Sequence, residues 1–235
     1  MPADGARIVD DERYHVLVSA DGEWIGVCRL RFEPEDAPVV LAEVQRLSPG
    51  AHTGWQTPRQ DLAEALLAAG ARLPEPPLDP TFTALATDRE PPLVEGVDVR
   101  RVASFEDHVA GLEIMLASVD WSEEQAARRR AEAPQRYERR QQRPGGEWLA
   151  SIDGRVVAWA AASGGPRGLY LDGGATVPEA RGRGCYRALI RARWQHAVER
   201  GTPGLTVGAQ DSSRPILERC GFEVVCTMYE VETDP

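Results

Sequence analysis

Residues 169–198 read LYLDGGATVPEARGRGCYRALIRARWQHAV. An extended apolar segment passes through Val177-Pro178-Glu179 into the turn Arg181-Gly182-Arg183-Gly184, and a long amphipathic pattern follows. Proline and glycine mark the change from one regular element to the next. A strand that feeds a glycine-rich turn, which in turn opens a helix, gathers free backbone N–H groups at a positive helix end. That is an anion site, and phosphates are the usual anion.

The whole chain sets the bounds for that turn. Its 235 residues suit one large domain, or a small domain plus a medium one, and 42% hydrophobic with 27% charged residues is ordinary for a globular protein with a real core. A net charge of -10 argues against general nucleic-acid binding, which wants a basic face. The charge is uneven: Met1–Glu95 holds 17 acidic and 8 basic residues, against 20 and 19 in the remainder. Every basic residue is arginine, which fits a GC-rich bacterial genome and leaves no lysine for a P-loop. Cys28, Cys185, Cys220 and Cys226 show neither a C-x-x-C pair nor zinc spacing, so no metal is expected and a reducing compartment is. The acidic, polar N-terminus is not a signal peptide, and no apolar run approaches a membrane span of roughly 18 residues. The expectation is a cytoplasmic protein without membrane or nucleic-acid partners.

In chain order, Tyr14–Ser19 and Glu23–Phe32 look like strands joined at Asp21-Gly22, with a third strand at Val39–Leu47. A polar turn, Ser48–Gly54, precedes a helix from Pro58 to Ala69 that Gly70 stops. His52 falls in that turn as a lone histidine. Pro74–Pro80 connects to a strand at Thr81–Thr87. The charged, proline-paired Asp88–Gly96 separates a small α+β domain, 1–90, from a second one, 96–235.

Val97–Val102 alternates as a strand. Ser104-x-x-Asp107 resembles a capping box, and Phe105, Val109, Leu112 and Leu116 fall at helical spacing, one face of which should be buried. After the break Val119-Asp120-Trp121, Ser122 caps an arginine-rich helix that Pro134 kinks or splits. Its arginines alternate with glutamates, as on a solvated face. Glu147–Ile152, the turn Asp153-Gly154 and Arg155–Ser163 form a hairpin. Beyond the opening stretch come a strand at Leu205–Ala209, a short helix at Pro215–Cys220 and a closing strand at Phe222–Val231. The helix between the fourth and fifth strands of this domain implies a parallel pair in a mixed sheet.

Three kinds of phosphate loop compete for Arg181–Tyr186. The missing lysine excludes a P-loop. A dinucleotide fingerprint needs a third glycine where Arg187 stands. The third kind is the pyrophosphate loop R/Q-x-x-G-x-G/A, matched at Arg181 and Gly184 and departed from at Tyr186. Together with the lead-in Thr176-Val177-Pro178-Glu179-Ala180 and the ending Ile216–Phe222, it makes the region Val97–Val231 resemble the GNAT superfamily of N-acetyltransferases.

That resemblance implies an α/β fold with a mixed sheet, carrying a smaller N-terminal α+β domain that echoes the same element order as a degenerate half-copy. It also implies acetyl-CoA as acyl donor, no metal, and direct attack by an amine, small-molecule or peptide, on the thioester. Backbone groups around Gly174, Ala175, Thr176 and Val177 would meet the pantetheine arm, one of them stabilising the oxyanion. The N–H groups of Arg183, Gly184, Cys185 and Tyr186 would hold the pyrophosphate beyond Gly182, helped by Arg181 or Arg187. Asp172 is the expected base, with Tyr170 as the alternative. The general-acid tyrosine of the family's last helix is replaced by Leu217, which leaves Tyr186, Ser213 or a water. Gln210 takes the place of a common cofactor-site asparagine. Val119-Asp120-Trp121 and Glu113 would line the acceptor pocket, unless Trp121 anchors the core. Three roles stay open for the N-terminal domain: covering the acceptor site, offering a surface for a homodimer, or extending the sheet. The rival to an enzyme is an acyl-CoA-binding sensor, which Tyr186 and Leu217 favour.

Overall fold

A computed structural model describes residues 6–19, 22–75, 79–118 and 121–234, so Asp21 and the Val119-Asp120 break fall outside the described residues. The chain forms two compact units, one of residues 1–84, 209–212 and 225–235, the other of 85–208 and 213–224. Residues 225–234 thus belong to the same unit as the early strands.

The first unit opens with β1 (Arg7–Asp10), β2 (His15–Val18) and β3 (Trp24–Cys28), an antiparallel meander whose first strand lacks an apolar pattern in the sequence. The strand expected at Val39–Leu47 is instead a helix, α1 (Ala37–Gln45). Its buried residues, Ala37, Val40, Leu41 and Val44, repeat at helical spacing, and Pro38 sits in the first turn where its missing N–H costs nothing. The β-branched run masked a period of 3.6. The expected turn Ser48–Gly54 is also shortened, because β4 (His52–Thr57) starts inside it and pairs in parallel with β3. His52 is therefore a strand residue, 3.5 Å from carboxylates of both Glu232 and Asp234. Next come α2 (Gln60–Ala68), where a longer helix was expected, and β5 (Thr81–Thr87). Ile25, Val40, Val44, Trp55, Leu62 and Leu66 form the core of this unit.

The second unit is built on β6 (Asp98–Arg101), three helices and a four-strand run. In α3 (Phe105–Ser118), Asp107 N–H donates to Ser104 Oγ at 3.2 Å, the expected cap. Asp107 also holds Arg100, an ion pair that keeps its carboxyl down at about 2. The buried face is His108, Gly111 and Leu112, whereas Phe105 is exposed, so the expected apolar stripe is rotated. Helix α4 (Glu123–Ala131) starts with a full capping box between Ser122 and Gln125, and Pro134 opens α5 (Ala133–Gln141). Strands β7 (Gly145–Ile152), β8 (Arg155–Gly164) and β9 (Leu169–Thr176) are antiparallel neighbours of β6 in sequence order. Helix α6 (Cys185–Glu199) then crosses back to β10 (Leu205–Ala209), parallel to β9 as anticipated. The chain closes with α7 (Arg214–Arg219) and β11 (Glu223–Thr233), the latter antiparallel to β4.

Helix α3 comes so close to β8 that a Cβ on Gly111 would lie 2.2 Å from Trp159 Cδ1. Gly111→Ala should lower stability by about 2 kcal/mol through overpacking, read as a lower urea midpoint at unchanged slope.

Candidate active site

The two parallel strands diverge almost at once. β9 and β10 share only the pairs Leu169–Leu205 and Tyr170–Thr206, yet β9 runs on to Thr176 and β10 to Ala209. On its other edge β9 stays paired with β8, through Ala158–Thr176, Trp159–Ala175, Ala160–Gly174 and Ala161–Gly173. Val177 N–H donates to Val157 C=O at 3.0 Å across β8. Strand alternation then turns the N–H and C=O of Gly174 and Thr176 toward the open edge. Polar backbone left open beside a gap calls for a partner. Thr176 C=O already has one, the Arg181 guanidinium, at 3.4 Å.

The gap leads straight into the glycine turn. Pro178–Ala180 makes one tight turn, Gly182 and Gly184 take left-handed φ of 77° and 87°, and Gly184 caps α6 without any side-chain bond. A side chain at Gly184 would be strained and would meet Val94 at 2.7 Å. The first helical bond runs from Ala188 N–H to Gly184 C=O, which leaves the N–H groups of Cys185, Tyr186 and Arg187 without a partner in the helix. The side chain of Cys185 is buried, so it offers the site only its backbone. Arg181 also reaches Ser118 C=O at 3.1 Å, and Arg183 lies 3.8 Å from Asp153.

Tyr186 points away from the turn. Its ring packs beneath β9, 3.0 Å from where a Cβ on Gly174 would sit, and burial raises its pKa, so the phenol stays protonated. Beside it, the wholly buried Arg193 donates to the carbonyls of Leu189, Ala161 and Gly173 at 3.0, 3.1 and 3.3 Å. The register of β8 slips between Ala161 and Ser163, and a slip strands carbonyls that a ladder would otherwise satisfy. Arg193 adds buried donors at this point. Burial pushes its pKa down to about 10. Nothing in the helical pattern of α6 singles it out, since arginines at 187, 191 and 193 look alike in sequence.

Asp172 and Tyr170 share the exposed face of β9. Asp172 Oδ2 accepts from Arg140 at 2.7 Å and Ser163 at 2.6 Å, while Oδ1 has no partner among the described residues. The second unit holds another engaged carboxylate. Glu147, buried on β7, accepts from Trp159 Nε1–H at 3.2 Å and sits 2.6 Å from His108 Nδ1, which is also buried. Glu147, the one acid in the strand run Glu147–Ile152, was the available sign of this pair.

Other expected residues have settings of their own. Glu113 is engaged by Arg130 at 2.7 Å, and the Arg129 guanidinium covers the Trp121 ring at 3.9 Å. Ser213 stands at the start of α7 without capping it, Gln210 belongs to the first compact unit, and Leu217 is fully buried. Among the described residues no three His, Cys, Asp or Glu side chains converge to hold a metal.

Residues 114–222 match the model of the acetyltransferase (GNAT) family. No curated protein is detectably similar to the chain. Among solved structures, a GCN5-related N-acetyltransferase from Kribbella flavida is 20% identical with a TM-score of 0.72, covering 98% of this chain and 90% of its own. A GCN5-related N-acetyltransferase from Sphaerobacter thermophilus is 15% identical, TM-score 0.59, over 96% and 82%. A tandem GNAT protein from the clavulanic acid biosynthesis pathway is 15% identical, TM-score 0.62, over 99% and 84%. At these identities the likeness is one of fold.

Arg193→Met keeps the bulk but removes the buried side-chain donors to the Ala161 and Gly173 carbonyls, while Leu189 C=O keeps its helical partner. It should cost about 2–3 kcal/mol in urea unfolding, and an unchanged midpoint would mean those carbonyls find water instead.

Proposed function

We propose that the protein is an acyl-CoA-dependent N-acyltransferase, with acetyl-CoA as donor and a primary amine as acceptor, from the match of residues 114–222 to the acetyltransferase (GNAT) family model and from the GNAT-like fold. The observation that carries the proposal is the unpaired edge of β9 running directly into the uncapped turn at Gly184. An amide-bearing pantetheine arm would pair with Gly174 and Thr176 as a strand does, and its pyrophosphate would end at the N–H groups of Cys185, Tyr186 and Arg187.

In the reaction the amine nitrogen attacks the thioester carbonyl carbon, the C–S bond breaks, and the electron pair leaves as the CoA thiolate. An N–H on the open edge of β9, Gly174 by its orientation, would hold the developing oxyanion, a contribution of about 3 kcal/mol where such donors have been removed. Oδ1 of Asp172 would take the proton that the ammonium must lose, directly or through a water, with Arg140 and Ser163 fixing the carboxylate through Oδ2. Leu217 leaves α7 without a proton donor, so the thiolate departs unaided or takes its proton from water or from Tyr186.

The first unit repeats the element order of the second: three antiparallel strands, a crossover helix to a parallel strand, a helix and a last strand. In our reading it is a degenerate half-copy. Its turn between β3 and α1 holds Glu33, Glu35 and Asp36 and no glycine, the wrong sign and the wrong backbone for a pyrophosphate.

Calorimetry with CoA and thiol release across an amine panel test the proposal together. CoA should bind, and thiol release should depend on the amine. Asp172→Asn should cut kcat tenfold or more while CoA affinity stays within about twofold. Binding with no turnover on any amine would favour a sensor, and no binding would end both readings.

A further inference from the structure

Against the ends of β6, β7 and α5 lies a cavity of about 320 Å³ lined by Arg101, Val102, Arg140, Gln141, Arg143, Gly146 and Glu147. All of it belongs to the second unit. Its charges do not balance. Glu147 is already engaged by His108 and Trp159, and Arg140 is paired with Asp172. Arg101 and Arg143 have no carboxylate partner among the described residues. Arg101 instead lies over the Trp148 ring at 5.8 Å and donates to Gly145 C=O.

Gly146 lies against it: its φ of +154° favours glycine, and a Cβ there would come 2.9 Å from Arg101 Nε, so a larger residue would push the guanidinium aside. A wall of two uncompensated guanidinium forks favours a carboxylate, whose two oxygens match the fork. The third fork, Arg140, binds Asp172 from the same cavity and so ties it to the base of the proposed reaction.

We infer that this cavity is the acceptor's anion subsite, and that the acceptor is a small amine that also carries a carboxylate. The inference rests on the acyltransferase reading for the amine, but the anion subsite stands on the cavity alone. The volume decides between acceptor sizes. About 320 Å³ lies at the lower end for small-molecule pockets and suits an amino acid rather than the tail of a folded protein. An acceptor bound this way would present its carboxylate to Arg101 and Arg143 and its nitrogen to Asp172. The cavity also differs in sign from the acidic and aromatic lining that Glu113 and Trp121 suggested, both of which are covered by arginines of α4.

The test compares free amino acids with their carboxamides by thiol release, in the full chain, wild type and Arg143→Gln. Arg143 is exposed, and a thermal melt checks that the variant remains folded. The expected result is a kcat/KM at least tenfold higher for an amino acid than for its carboxamide, carried mostly by KM, with Arg143→Gln collapsing that ratio. Arg101→Gln should do the same. Carboxamides used as well as amino acids would overturn the inference while leaving the acyltransferase intact. If no amine is turned over, calorimetric titration with N-acetyl amino acids decides. Binding that Arg143→Gln abolishes supports the subsite, and no binding to the wild type overturns it. CoA titration of the same samples reports separately on the acyltransferase reading.

Discussion

A strand whose hydrogen-bonding edge is left open in the middle of a sheet governs this protein's site. After Tyr170, β9 has β8 on one side and no ladder pair with β10 on the other, so Gly174 and Thr176 present an N–H and a C=O to a gap. Unpaired backbone of this kind is costly unless water or a ligand meets it. Two arginines manage the strain at its ends. Arg193 binds the carbonyls of Ala161 and Gly173 where the β8–β9 register slips, and Arg181 binds Thr176 C=O where the gap meets the turn. What remains open, centred on Gly174, is the stretch that a pantetheine arm would fill.

The turn at 181–184 was legible in sequence because its chemistry is local. Glycine at two left-handed positions, proline at the strand end and a helix beyond are short-range facts, and the structure keeps each of them. The capping boxes at Ser104 and Ser122, the split at Pro134 and the parallel crossover were legible for the same reason. Val39–Leu47 was not, since valines prefer strands locally and only tertiary burial of Val40, Leu41 and Val44 exposes the helical period.

The site's side-chain partners lie beyond that horizon. Arg140 reaches Asp172 across 32 positions, and His108 reaches Glu147 across 39. A chain whose cations are all arginine offers no sequence mark to tell Arg193, wholly buried under the sheet, from Arg187, exposed two turns earlier. The same uniformity hid the cavity's sign, because the arginines of α5 read as a solvated face until Arg101 and Gly146 closed the other wall. Tyr186 was visible as a departure from the loop pattern, yet its direction, down against Gly174 rather than into the turn, depends on the space the glycine leaves.

Amide hydrogen exchange with and without CoA probes the open edge itself. Slower exchange on CoA binding, concentrated in 171–176 and 183–187, is the predicted result, because the arm would occupy the unpaired side of β9 and the pyrophosphate the start of α6. Binding that leaves both segments exchanging as in the free protein would contradict the account.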